Sequence, residues 1–289
     1  MEPQKIIITN EMLSQLEKFT GTFDVHITVD DRQIYLVNQF CQLNHIELAY
    51  AIGDRGRYKQ QLMTSTYVMA STGRRVLEEA IELSCLMERA GIHVLRIKIE
   101  TLASCEFIKE FMKTEEYQKN PQYYYEFHFK VAVKSALDQQ KLEKVCELHN
   151  VSYAINFLSK NRRDPLISYR LRGDYDKALQ MKENFLRALK LQGLTPLIDG
   201  THNEFAIYDS NYKLDEGLLL PAVEITESPT PMISEQQKVP LISEVQLQQI
   251  LVPASQILIQ LPQISAPMPQ KVAIQQLPVI KETTTEATP

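Results

Sequence analysis

Two segments of the chain, FDVHITV (23–29) and YEFHFKV (125–131), have the same pattern, with a histidine at the centre of each. Apolar and polar residues alternate in both, which is typical of a β-strand with one buried face. When His26 is aligned with His128, further segments correspond. CQLNHIELAYAI (41–52) aligns with CELHNVSYAINF (146–157), and LSCLMERAGI (83–92) aligns with FLRALKLQGL (185–194). An internal duplication restricts the fold to architectures that are built from two similar units.

Each unit has the predicted order β-α-β-β-α-β. In the first unit, a strand at 23–29, a helix at 34–45 and an amphipathic helix at 73–90 set this order. It is the order of the ferredoxin-like motif, in which the first and last strands are neighbours and both helices cover one face of the sheet. The sequence therefore predicts an α+β fold of two tandem ferredoxin-like βαββαβ repeats with antiparallel sheets. The predicted domains are a first repeat with an N-terminal extension (1–103), a linking helix (104–122) and a second repeat (123–217).

The C-terminal segment, 218–289, has a different composition. Ten of the chain's 14 prolines lie in 221–289, which contains no glycine and no aromatic residue. Because proline interrupts helices and sheets, this segment is predicted to be a disordered Pro/Gln-rich tail. Its short aliphatic clusters could recruit a protein partner, and a tether without a specific ligand is the alternative.

The composition limits the class of protein. The chain has 289 residues, a formal net charge of −5 and 44% hydrophobic residues, which is enough apolar material for a core. The acidic excess makes nucleic-acid binding an unfavoured role, and no run approaches the ~18 apolar residues of a membrane span. The four cysteines have neither CxxC nor zinc-site spacing, and P-loop, dinucleotide-binding and zincin motifs are absent. We therefore expect a cytoplasmic protein without a cofactor or a membrane contact.

The polar faces of the predicted strands carry the residues with functional potential. If the first and last strands of a unit are neighbours, His26 lies across from Arg96 and Lys98. Clustered cations need carboxylates or a bound anion to offset their repulsion. One interpretation is a structural lattice of neutralising carboxylates, namely Asp24, Glu100, Glu126 and Glu204. The other is a small phosphorylated or otherwise anionic ligand that is bound by Arg96, Lys98, Lys130, Arg170 and Arg172.

A second potential anion site lies at the start of the helix 73–90. In MASTGRR (69–75), Ser71, Thr72 and Arg74 surround a helix N-terminus, whose free N–H groups and dipole favour anions. The corresponding segment of the second unit, RLRGDYDK, has Asp174 at the cap position, where its carboxylate would occupy the site. Simple helix capping is the structural alternative for the first unit.

His26 and His128 are the candidate catalytic residues, because two imidazoles can act as general acid and general base on a phosphoester. The segment His26-Ile27-Thr28 resembles the H-x-T signature of the two-histidine phosphoesterases, which also have two pseudo-symmetric lobes. The resemblance implies a phosphoester substrate and a catalytic role for Thr28. The second copy departs from the signature with Lys130 in place of the hydroxyl, and the motif lies on the first strand of each unit, unlike in that family.

Other interpretations of the two histidines remain open. His26 with Glu100, and His128 with Glu204, resemble the paired ligands of some two-module metal enzymes, and such groups suit a divalent transition metal. The neighbouring lysine and arginine side chains would repel that cation, so no metal ligand is predicted. Each histidine could equally be a satisfied polar residue between the repeats. The polar run YDSNYKLDEG (208–217) is interpreted as a surface turn, and a contribution of Asp209, Asn211 and Asp215 to the rim of a site is the alternative.

The leading hypothesis from the sequence is a cleft between two pseudo-symmetric repeats that binds a small anionic ligand, with phosphoester chemistry as its catalytic extension. The alternative is a non-catalytic interaction protein whose aliphatic tail, 221–289, recruits a protein partner. A third hypothesis is a once-catalytic duplicate that now serves as a scaffold. The sequence leaves open whether the protein is an enzyme.

Overall fold

The structure is a computed structural model that describes residues 8–159 and 164–220, with the backbone alone at 198–201 and 219–220. Of the predicted tail, 218–289, only 218–220 are described, and its predicted partner-binding role at 221–289 lies outside the described residues. The longest of the described helices have 17 residues, and none of them has the length and apolar character that crossing a membrane requires.

The described first half of the chain contains four strands and three α-helices. Its elements are α1 (Asn10–Leu16), β1 (Gly21–Val29), α2 (Ile34–Asn44), β2 (Glu47–Gly53), β3 (Gln60–Ala70), α3 (Gly73–Arg89) and β4 (Val94–Leu102). Helix α3 begins where Thr72 caps it, because Thr72 Oγ1 accepts a hydrogen bond from Arg75 N. The helix buries an apolar stripe that includes Val76, Leu77 and Met87.

The second half begins after two short helices, α4 (Phe107–Phe111) and α5 (Glu115–Lys119), which stand where one linking helix was predicted. Thr114 separates them, because its side chain caps α5. The elements that follow are β5 (Tyr125–Ala132), α6 (Ala136–Leu148), β6 (Ser152–Asn156), β7 (Leu166–Leu171), α7 (Tyr175–Leu191) and β8 (Thr195–Asp209). Asp174 caps α7 by accepting hydrogen bonds from the N–H groups of Asp176 and Lys177.

Eight antiparallel strands close into one barrel. Their order is β5-β8-β4-β1-β3-β2-β6-β7, and β7 pairs with β5 to complete the ring. Each half contributes four consecutive strands in the order last, first, third, second. The halves join at two seams, where β4 pairs with β8 and β2 pairs with β6.

The predicted fold of two tandem ferredoxin-like repeats, each with its own open sheet, is wrong. An open sheet exposes unpaired N–H and C=O groups along its outer strands. Here the outer strands of one half pair with those of the other, for example Ile99 with Tyr208 and Ile52 with Ile155. The expected pair of ferredoxin-like sheets is therefore one closed barrel, and the space between the halves is its interior.

Successive residues of each strand face opposite sides of the barrel wall. On β1, Phe23, Val25 and Ile27 belong to the hydrophobic core between the barrel and the outer helices. Asp24 and His26 point the other way, into the interior, because side chains alternate along a strand. The helices therefore cover the outside of the barrel, and polar side chains fill the inside.

The chain closes one end of the barrel, the base, after β8. It forms a 3-10 helix, Tyr212–Asp215, and then a short strand, β9 (Leu219–Leu220), which pairs with β7 in parallel. Asp215 is buried and reaches Arg96 of β4 and Arg170 of β7. The run interpreted as a surface turn thus supplies a buried carboxylate to the interior.

Candidate functional site

Ionisable groups from both halves line the interior of the barrel. The carboxylates are Asp24, Glu100, Glu126, Glu204, Asp209 and Asp215, the permanent cations are Arg96, Lys98 and Arg170, and the imidazoles are His26 and His128. Buried charges are costly unless they are paired. The contacts among these groups therefore decide which of them are available to a ligand.

At the base, two guanidinium groups are held by carboxylates. Arg96 Nε lies 2.9 Å from Asp209 Oδ1, and Arg96 Nη2 lies 2.8 Å from Asp215 Oδ2. Arg170 Nη2 lies 2.6 Å from Glu126 Oε1, and its Nε lies 3.6 Å from Asp215 Oδ2. Burial alone would raise the pKa of Asp215, but Arg96 and Arg170 outweigh it and lower the pKa below its usual value. Both predicted anion ligands are thus already paired.

In the middle of the barrel, Lys98 bridges two glutamates. Its Nζ lies 2.8 Å from Glu100 Oε2 and 2.9 Å from Glu126 Oε2, and all three residues are buried. Burial would lower the pKa of Lys98, but the two carboxylates outweigh it and raise the pKa well above its usual value. Lys98 is therefore an ammonium group that two carboxylates share.

His26 lies at the end of the barrel opposite the base, which we call the mouth. Its side chain is 14% exposed, and Nε2 lies 3.3 Å from Asp24 Oδ2 and 3.2 Å from Glu100 Oε2. Burial alone would lower the pKa of His26, but its contacts with Asp24 and Glu100 raise it to about 10. His26 is therefore a cation at neutral pH, and its charge is offset within the barrel.

His128 lies at the same mouth and is also 14% exposed. Its Nε2 lies 3.0 Å from Glu126 Oε1 and 3.9 Å from Glu204 Oε2, and its Nδ1 lies 3.0 Å from Ser168 Oγ. Burial lowers the pKa of His128, and the neighbouring carboxylates, Glu126 first, more than reverse this effect. The structure thus brings both predicted histidines to one opening.

Carboxylate oxygens meet these histidines at the seam between β4 and β8. Ligand atoms of Glu100, His128 and Glu204 all lie within 4.8 Å of one another. Burial first, and then the charge of Glu100, raises the pKa of Glu204 to about 8, so Glu204 retains a proton at neutral pH. We refer to Asp24, His26, Glu100, His128 and Glu204 together as the mouth cluster.

Glu100 has an unusual environment within the mouth cluster. It is fully buried, and neither carboxylate oxygen accepts a well-directed hydrogen bond from any residue of the described chain. Lys98 Nζ lies 2.8 Å and His26 Nε2 lies 3.2 Å from Oε2, but neither contact has the angles of a hydrogen bond. Oε1 has no hydrogen-bond donor among the described residues. The cluster therefore has more acceptor atoms than donors, as a site for a cation requires.

Three other predicted site residues from the strands lie outside the mouth cluster. Thr28 is buried on the base side of His26, and its Oγ1 has no partner among the described residues. Lys130 is exposed, two residues beyond His128 on the same face of β5. Arg172 leaves the interior altogether, because its guanidinium stacks 4.9 Å from the Tyr117 ring centroid.

The predicted anion site at the start of α3 is occupied by local contacts of the helix itself. Ser71 is exposed, and Thr72 Oγ1 accepts a hydrogen bond from Arg75 N at 3.3 Å. Arg74 Nε lies 3.0 Å from Glu78 Oε1, in the next turn of the helix. The local contacts are those of a capped helix whose arginine is paired.

Sequence reasoning missed the buried pairing of Asp215 with Arg96 and Arg170, and it missed the convergence of Glu100, His128 and Glu204. Asp215 directly follows Leu214, which is also buried, and this apolar residue was the one local signal that the polar run turns inward. The sequence named Glu100 and Glu204 as members of a neutralising lattice and as partners of His26 and of His128, but not as neighbours of each other. Their meeting depends on the β4–β8 seam, for which the sequence contains no local signal.

Comparisons with known proteins identify no family for this chain. No family model matches it, and no curated protein matches it. Among solved structures, the siroheme decarboxylase NirDL in co-complex with an iron-uroporphyrin III analogue has 11% identity over 71% of this chain and 75% of that chain, with a TM-score of 0.23. A likeness at this TM-score carries no argument about fold or function.

Proposed function

We propose that the protein binds a divalent transition-metal ion in the mouth of the barrel, with Glu100, His128 and Glu204 as ligands. The observation that carries the proposal is the buried Glu100 carboxylate, whose Oε1 has no hydrogen-bond donor among the described residues. An unpaired buried carboxylate oxygen is costly, and a metal ion is the partner that would satisfy it. His128 and Glu204 have ligand atoms within reach of the same point.

The charge balance of the mouth cluster supports a cation. Its three carboxylates face two imidazoles, and the nearest permanent cation, Lys98, is shared with Glu126. Neutrality in the cluster thus depends on bound protons. A divalent ion can replace protons at His128 and Glu204, and metal affinity at such ligands falls as the pH falls.

The ligand types indicate the class of metal. One imidazole nitrogen and two carboxylate oxygens suit ions such as Zn²⁺, Co²⁺ or Fe²⁺. Zinc holds such atoms at about 2.0–2.2 Å, which brings them to roughly 3.4 Å from each other in a tetrahedral site. Ligand atoms that span up to 4.8 Å would therefore move slightly inward on binding. His26, 3.2 Å from Glu100, would support that carboxylate from the outer side.

Repulsion of the metal ion by the neighbouring lysine and arginine side chains is weak in this arrangement. Arg96 and Arg170 are paired at the base, and Lys98 approaches Oε2 of Glu100 rather than Oε1. The same pairings weaken the hypothesis that these cations bind an anion directly, because an anion would have to displace buried carboxylates. A scaffold role through 221–289 stays a prediction.

Metal binding by the tag-free chain, after treatment with a chelator, tests the proposal. Isothermal titration calorimetry with Zn²⁺ and with Co²⁺ should show a single ion per chain. Glu204→Gln and His128→Asn should each weaken binding by more than the roughly 10–100-fold typical of outer-shell partners, and His26→Gln should fall within that range. The matched control is Glu82→Gln, an exposed residue of α3, which should bind as wild type does.

Two results would contradict the metal site. One is a wild-type chain that takes up neither ion. The other is a folded Glu204→Gln variant, judged by circular dichroism, whose affinity equals that of wild type.

A further inference from the structure

Two aromatic rings meet across the mouth of the barrel. Tyr67 lies on β3 and His202 on β8, and these strands are separated by β4 and β1. Three strand spacings amount to about 14 Å along the sheet, yet the ring centroids are only 5.7 Å apart, with 32° between the ring planes. The rings therefore lean over the opening rather than lie along the wall.

The strand register places both rings beside the mouth cluster. Tyr67 lies opposite Asp24 on β1, and His202 lies opposite His128 on β5. Because directly paired residues of antiparallel strands share a face, Tyr67 and His202 lie level with these two cluster residues on the interior face. A ligand that reaches Glu100 from solvent would pass beside this aromatic pair.

The rim of the mouth has apolar, aromatic and cationic character at once. Tyr67 is 55% exposed, so one face of its ring is open to solvent. The His202 ring, 5.7 Å from the Tyr67 ring, adds a second aromatic surface to the rim. The Lys130 ammonium is exposed on the same face of β5 as His128.

We propose that the mouth binds a small molecule that has a planar ring and an anionic oxygen group. This inference rests on the proposed metal site. Three protein ligands leave a coordination position open for an oxyanion, and Lys130 lies on the side of the opening where that anion would arrive. The ring stacks on the open face of Tyr67, in the offset geometry that aromatic pairs prefer.

A metal ion removes the main obstacle to an anionic ligand at this place. Without it, the anion would meet the negative carboxylates of Asp24 and Glu100, which repel it. With it, the carboxylates of Glu100 and Glu204 hold the ion to which the anion binds. The anionic ligand that the sequence predicts would then bind to the metal ion held by the carboxylates, and not to the buried arginines.

Titration of the Co²⁺-loaded protein with phenyl phosphate and with inorganic phosphate tests the inference. Both ligands should alter the visible absorption of Co²⁺, and phenyl phosphate should bind about 3- to 10-fold more tightly, which corresponds to one aromatic stacking contact. Tyr67→Leu should abolish this preference and leave Co²⁺ affinity unchanged. The matched control is Tyr35→Leu on α2, where the tyrosine is 76% exposed on the outside of the barrel.

The lysine has its own variant and control. Lys130→Met should weaken both phosphates by a similar factor, because both lose the same charge contact, whereas Lys144→Met on the exposed face of α6 should change neither. Equal affinities for the two ligands, or a preference that survives Tyr67→Leu, would overturn the inference and leave the metal site standing. The inference would also be overturned if the Co²⁺-free protein bound the two phosphates as tightly as the Co²⁺-loaded protein does. Failure to take up Co²⁺ would overturn both proposals.

Discussion

Glu100 and Glu204 meet in the barrel mouth at the seam between the two halves of the chain. They lie on β4 and β8, which pair directly, and a ligand atom of each lies within 4.8 Å of the other. Lys98 is paired with Glu100 and Glu126, so Glu204 has no lysine or arginine partner within the described chain. The seam therefore brings two carboxyl groups to a point that His128 also reaches.

Glu204→Gln should make the metal-free protein more stable at alkaline pH. The pKa of Glu204 is raised from its usual 4.5 to about 8, so its contribution to stability is full below the lower value and is lost as the pH rises through the higher one. Glutamine keeps the shape without this loss. We expect a gain on the order of a few kcal/mol at about pH 9 and little difference near pH 5, measured by urea unfolding with a chelator present.

The control for this pH dependence is Glu82→Gln, whose stability should follow that of wild type at both pH values. A Glu204→Gln variant that is less stable than wild type at alkaline pH would show that Glu204 is ionised and paired in the folded protein.

His26→Gln should destabilise the protein at neutral pH. The pKa of His26 is raised from 6.5 to about 10, so its stabilising contribution is full below 6.5 and is lost as the pH rises through 10. Removal of this partly buried cation leaves Asp24 and Glu100 without it, at a cost of roughly 2–4 kcal/mol. Urea unfolding should show the difference near pH 6.5 and its disappearance above about pH 10.

His45→Asn is the matched control for His26→Gln. His45 is exposed at the end of α2 with a φ of 56°, a conformation that asparagine tolerates. Its unfolding should match wild type at every pH. A His26→Gln penalty that persists unchanged at high pH would mean that packing, and not charge, accounts for the contribution of His26.

Arg96→Met should cost about 3–5 kcal/mol of stability, because it leaves Asp209 buried without its cation and Asp215 with Arg170 alone. Adding Asp215→Asn should recover part of that loss, since the second change removes one of the two carboxylates that Arg96 had paired. Chemical denaturation of the single and double variants measures this coupling. Arg89→Met, at the exposed end of α3, should leave the midpoint where it is, and additive losses in the double variant would rule out the pairing.

Thr72→Ala should cost about 1 kcal/mol through loss of the α3 cap, and Thr72→Ser should restore most of it. Capping alone predicts that sulfate shifts the Tm of wild type and of Thr72→Ala equally. A sulfate-dependent rise in Tm that wild type shows and Thr72→Ala lacks would instead favour the anion site expected from Ser71, Thr72 and Arg74.

Several elements of the barrel were predictable because their signals are local. The alternation in FDVHITV identifies β1 and places Asp24 and His26 on the face opposite Phe23. The 3.6-residue periodicity of 73–90 identifies α3, which ends at Arg89. These patterns depend only on which neighbouring side chains share a face, so the chain can be interpreted one element at a time.

Closure of the barrel has no such signal. The inside and outside of a closed barrel alternate along a strand in the same way as the two faces of an open sheet. The seam that pairs Ile99 with Tyr208 joins residues from different halves, and neither segment specifies its partner. Two open sheets therefore fitted the sequence as well as one barrel did.

The candidate site, too, was predictable only where its signals are local. By itself, the sequence determined that His26 and His128 occupy equivalent strands and that acidic and basic residues share their faces. Only the tertiary structure decided that these faces enclose a common interior, that Arg96 is paired with Asp209 and Asp215, and that Glu100 is left with an unpaired oxygen. Charge pairing and desolvation depend on distances across the barrel, and those distances are set by long-range strand pairing rather than by position along the chain.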